Sequence, residues 1–177
     1  MADKKPKKKR AFGRAYLKDF HRNVAGEYIY SGPTHHWASP RGKRLRQMWL
    51  WAGLALAAGL AGGCLPGCAM EQYPWSLVPY VLALLFAFVQ IWKLYRLTDG
   101  GDPVRDYVWT YTVKPLPVLS ILTATFAGVA MVAELVNLFL PGFSGRIYAA
   151  ILYILLELLV FAASMALRRL ILRLEWT

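Results

Sequence analysis

Two carboxylates stand inside otherwise apolar runs: Glu134 within residues 116–140 and Glu157 within residues 147–167. A carboxylate facing hydrocarbon costs several kcal/mol, so each must point into protein, carry a proton or find a partner. Asn137 follows Glu134 by three positions and Tyr153 precedes Glu157 by four, spacings that share a helix face and offer hydrogen bonds. Were the two carboxyls to meet each other or a water-filled gap, they could exchange protons as coupling groups in transport. Their expected depths differ by about 6 Å at a rise of ~1.5 Å per residue, so direct pairing requires some helix offset. In the plainer account Glu134 pairs with Arg146 by snorkelling, and a protonated Glu157 bonds a neighbouring helix or subunit as packing glue. The remaining polar groups of these runs, Gln90, Thr123, Thr125 and Ser164, are few for a transport path, which favours packing.

Cys64 and Cys68 are the only cysteines. They flank Leu65-Pro66-Gly67, a turn that brings their backbones close enough for a disulfide stapling a helix end; free thiols are the alternative. Catalytic machinery of the soluble kind is not legible: there is no glycine-rich phosphate loop, no His-Glu-x-x-His helix and no histidine beyond His36. His35 and His36 are adjacent and suit a metal poorly, so no metal and no cofactor are expected. Asp99, Asp102 and Asp106 cluster in one loop and could hold a divalent ion for a lipid-headgroup enzyme. Asp-Gly-Gly-Asp-Pro is equally an ordinary turn, and Arg105 lies beside it.

The elements that must carry these residues are four charge-poor stretches, 47–65, 77–95, 116–140 and 147–167, each near the ~20 residues that cross ~30 Å of hydrocarbon. With 57% hydrophobic and 18% charged residues, the chain lies outside the soluble balance. It reads as an all-α, polytopic membrane protein, its four transmembrane helices forming two in-out-in hairpins. Residues 1–46 make a basic cytoplasmic segment, 47–167 the membrane domain and 168–177 a cytoplasmic tail. The first apolar stretch starts too deep for an ordinary signal peptide. Leu65-Pro66-Gly67 recurs as Leu140-Pro141-Gly142, marking the two outer turns.

Orientation follows from the basic residues. Of 21 Lys and Arg, thirteen precede the first stretch, Lys93, Arg96, Arg105 and Lys114 lie around the middle loop, and Arg168, Arg169 and Arg173 follow the last. Arg146 alone falls on the other side, so both termini are expected inside. Four crossings, inside termini and a cysteine pair after the first crossing resemble, in layout, the disulfide-generating quinone oxidoreductases of the bacterial inner membrane. That resemblance implies a membrane thiol oxidoreductase using Cys64 and Cys68. The family, however, uses Cys-x-x-Cys and a second pair in the other outer loop, where this chain has Phe143-Ser144-Gly145. Ala61-Gly62-Gly63-Cys64 also resembles a lipoprotein processing box, although cleavage there would discard a leader well beyond the usual ~15–30 residues.

The first stretch carries Ala55, Gly59 and Gly63 at four-residue intervals, a small-residue face that lets a second helix approach, and Ala124 and Gly128 repeat the spacing in the third. A close contact between those two helices, or between subunits, is the expectation. Lys4, Lys5, Lys7, Lys8, Lys9 and Arg10, then Arg41, Lys43, Arg44 and Arg46, are read as contacts to anionic lipid headgroups, at ~1 kcal/mol each. No nucleic acid is expected. Between these runs, residues 26–37 are rich in aromatics, break at Gly32-Pro33 and read as an extended piece lying along the inner leaflet. The expected function is that of an accessory, scaffold or subunit in a bacterial cytoplasmic membrane, associating with itself or another membrane protein. A proton-coupled small transporter or channel subunit is the alternative.

Overall fold

The computed structural model describes residues 19–23, 26–38, 40–68, 73–140 and 145–176. It is mostly helical. The long helices are α1 (Arg41–Gly63), α2 (Pro74–Asp99), α4 (Leu116–Asn137) and α5 (Ile147–Leu172), with a short α3 (Asp106–Thr112) leading into α4. Four short strands accompany them: β1 (Phe20–Arg22), β2 (Tyr28–Tyr30), β3 (Thr34–His35) and β4 (Val104–Arg105). The strands and α3 depart from the expected purely helical chain, and all fall in segments read from sequence as leader or loop.

Proline opens α2 at Pro74 and lies in the first turn of α4 at Pro117, positions where its missing N–H has no helical partner to lose. At the far end of α1, Gly67 adopts φ +83°, a left-handed turn that glycine enters without strain, and its carbonyl accepts the Arg146 N–H at 3.0 Å. That bond ties the turn after α1 to the start of α5.

α1 packs on α2 and α5, and α4 packs on the same two helices, so each long helix has two neighbours and α1 faces α4 only diagonally. The expected close contact between the first and third apolar stretches is therefore replaced. The small face of α1 is taken up by α2 and α5: Gly59 lies against Leu84 and Val160, and Gly128 of α4 lies against Phe161 of α5.

Three helical segments are long and apolar enough to cross a membrane: Pro74–Asp99, Asp106–Asn137 and Ile147–Leu172. α1 is not among them. Its first six residues include Arg41, Lys43, Arg44 and Arg46, and the portion beyond them is about 25 Å long at ~1.5 Å per residue, short of ~30 Å of hydrocarbon.

The largest core lies at the basic end, where Leu45, Met48, Leu94, Leu97, Leu116 and Leu167 are buried under Trp37, Trp109 and Trp176. Leader, middle loop and tail interlock there. β3 pairs antiparallel with β4, matching Thr34 to Arg105 and His35 to Val104, and Trp37 forms a bridge with Trp176. His35 bonds Asp106 at 3.0 Å and stacks on Trp109, while Trp37 and Trp176 lie 4.4 Å apart between ring centroids. Tyr30 donates to the Pro33 carbonyl; burial pushes its phenol above the ordinary value, so it stays a donor at neutral pH. Residues read as lying along lipid are thus docked on protein, because backbone pairing and ring stacking give them partners that lipid does not.

Candidate functional site

Glu134, Asn137, Tyr153 and Glu157 are all buried in the end of the helical assembly away from the tryptophan cap, with no more than 1% of any of them exposed. Asn137 is fully engaged between helices. Its amide nitrogen donates to Ser76 Oγ at 2.6 Å, and its carbonyl oxygen accepts the Trp75 indole N–H at 3.0 Å. Both partners sit in the first turn of α2, which α4 meets at its last turn. Ser76 and Trp75 escape the sequence reading. The usable signal was depth, since Asn137 closes one helix at the level where Ser76 opens another.

Tyr153 and Glu157 behave differently. Neither carboxyl oxygen of Glu157, nor the Tyr153 hydroxyl, has a hydrogen-bond partner among the described residues. The expected Tyr153–Glu157 bond does not form, although both side chains border the same point beside Gly62. Instead the Tyr153 ring lies 6.1 Å from that of Tyr80. Glu157 makes no hydrogen bond to Glu134 among the described residues.

The α1 backbone closes this region. A Cβ on Gly62 would lie 3.6 Å from Glu157 Oε1 and from Tyr153, so Gly62, one position off the expected small-residue face, is the glycine that meets the carboxyl. Tyr80 donates to the Gly59 carbonyl at 3.0 Å, and a Cβ on Gly63 would collide with the Tyr80 hydroxyl. Gly59 and Gly63 therefore serve one tyrosine as well as helix approach. Beside Glu157, a narrow seam lined by Gly59, Tyr80, Ala83 and Val160 leaves no room for water. The carboxyl therefore sits in a dry seam without a hydrogen-bond partner among the described residues, an arrangement that is costly for a bare charge.

A second polar group lies nearer the middle of the helices. Gln90 of α2 donates to Thr123 Oγ1 of α4, and its side-chain Oε1 lies 3.4 Å from Ser120 Oγ, which donates to the Leu116 carbonyl at 2.9 Å. These residues join α2 to α4; Ser164 is buried on α5 without a partner among the described residues.

No disulfide joins Cys64 and Cys68, so the expected staple is not formed in this structure. Cys64 caps α1 on the exposed surface, whereas Cys68, past the left-handed Gly67, turns inward to approach the Ala149 carbonyl at 3.7 Å. Arg146 directs its guanidinium to the Tyr148 hydroxyl at 2.8 Å. Of the residues read as headgroup contacts, Lys43 and Arg46 are exposed at the start of α1, and Arg41 is drawn inward to the Thr98 carbonyl at 2.7 Å. Lys4, Lys5, Lys7, Lys8, Lys9 and Arg10 lie outside the described residues.

Compared with known proteins, the chain matches no family model, no curated protein and no solved structure. The argument for function therefore rests on its own residues.

Proposed function

We propose that this is an integral protein of a bacterial cytoplasmic membrane in which α1, α2, α4 and α5 all cross the bilayer, both termini are cytoplasmic, and function is exerted through helix association as an accessory, scaffold or subunit without catalysis of its own. Support for four crossings comes from the cap. β3 of the leader pairs with β4 of the loop after α2, so the chain leaves and returns to the same end between them. With α2 long enough to cross, α1 supplies the opposite crossing.

The observation that carries association is the outer face of α1. Gly53, Ala57 and Ala61 recur every four residues; Ala57 and Ala61 are exposed, and a Cβ on Gly53 would meet nothing within 4 Å. This second small-residue stripe leaves room for the close approach of another helix. A helix with a short apolar portion is also one that association accommodates in a thicker bilayer. In lipid nanodiscs the protein is expected to be oligomeric by cross-linking, and Ala57→Phe to yield monomer with an unchanged melting temperature. A monomeric parent protein contradicts the reading.

The partnerless Glu157 and Tyr153 favour a second reading, a proton-coupled transporter or channel subunit. Proteoliposomes carrying a pH-sensitive dye separate the two. Proton flux that disappears in Glu134→Gln and Glu157→Gln while assembly stays normal supports transport; the association reading predicts no such flux.

A further inference from the structure

At the basic end, Arg96 in the last turn of α2 and Arg105 in β4 line one cleft of about 300 Å³, together with Asp99, Tyr107 and Tyr111. Neither guanidinium forms an ion pair among the described residues; Arg105 is steadied by the Tyr30 ring, 5.6 Å from its centroid. Two guanidiniums against one carboxylate leave the cleft positive. Next to it, Lys93 donates to the Tyr111 carbonyl at 2.6 Å and adds a further positive charge.

Phe88, Trp92, Tyr95, Arg96 and Asp99 are exposed at i, i+4, i+7, i+8 and i+11, so one outward stripe of α2 passes from apolar to charged. Phe88, Trp92 and Tyr95 form an apolar groove with Trp49 and Ile91, of about 320 Å³, immediately below the charged end. From Phe88 to Asp99 the stripe rises about 16 Å at ~1.5 Å per residue. A polar, positive cleft and an aromatic groove, linked by the exposed stripe of α2, match one molecule in both parts: a phosphate beside guanidinium forks, and an acyl chain against rings.

We propose that this paired cleft and groove is a specific site for one anionic phospholipid of the leaflet at the basic end, its headgroup phosphate between Arg96 and Arg105 and an acyl chain along Phe88 and Trp92. Asp99, the one carboxylate lining the cleft, opposes an anionic headgroup and favours the positive part of a zwitterionic one, and the two guanidiniums outweigh it. The proposal rests on α2 crossing the membrane.

Native mass spectrometry of the full-length protein, released from nanodiscs of phosphatidylglycerol mixed with phosphatidylcholine, tests it. One phosphatidylglycerol is expected to be retained over phosphatidylcholine by on the order of tenfold. Arg96→Gln combined with Arg105→Gln is expected to abolish that preference, Asp99→Asn to increase it, and Trp92→Ala to weaken retention, with circular dichroism unchanged in each. Inorganic phosphate is expected not to displace the lipid. Equal retention of the two lipids, a double variant indistinguishable from the parent, or displacement by inorganic phosphate overturns the site. Recovery of the protein in the aqueous phase after detergent phase separation overturns instead the membrane reading on which it stands.

Discussion

Gly63 and Tyr80 show how tightly single residues are specified here. The Tyr80 hydroxyl occupies the space a side chain at Gly63 would need, and spends its proton on the Gly59 carbonyl. Gly63→Ala is therefore expected to destabilise the protein by about 1–3 kcal/mol, the usual cost of overpacking, and adding Tyr80→Phe to recover part of it. Thermal unfolding in detergent measures both; equal stability of Gly63→Ala and the parent contradicts the geometry. Glu157 was legible as an anomaly from its type alone, a carboxyl among leucines. Its lack of a hydrogen-bond partner among the described residues was not, because spacing puts Tyr153 on its face without fixing whether the two side chains bond.

At the scale of elements, the apolar runs located the long helices, and Leu65-Pro66-Gly67 located the end of α1, whereas Pro141 and Gly142 lie outside the described residues. Two things escaped. α1 begins at Arg41 rather than near Gln47, because Lys and Arg favour helix as readily as they favour a membrane surface. The cap escaped more completely, since its contacts join distant residues: His35 and Asp106 lie 71 positions apart, and no local pattern announces their pairing. The cap gives an expectation of its own. Trp37→Ala removes a ring that packs on Trp176 and on the core beneath, so limited proteolysis is expected to cut the leader faster while the long helices stay protected. An unchanged cleavage rate contradicts docking of the leader.

For the whole molecule, the decisive quantity is the parity of crossings. Three helical segments are long and apolar enough to span, and three crossings would put leader and tail on opposite sides. Trp37 meets Trp176, and the Ala38 N–H reaches the Glu175 carbonyl at 3.3 Å, a contact that supports the proposed crossing by α1, which would return leader and tail to one side. In the proposed topology that side is the cytoplasm, where all Lys and Arg but Arg146 would lie.

The most direct measurement uses a membrane-impermeant maleimide on intact spheroplasts. One version of the protein retains Cys64 with Cys68→Ser; the other lacks both cysteines and carries Glu175→Cys in the tail. The account predicts that Cys64, exposed at the outer end of α1, is labelled from outside, and that the tail thiol is labelled only after lysis. Labelling of the tail in intact spheroplasts, or protection of Cys64 until lysis, contradicts it.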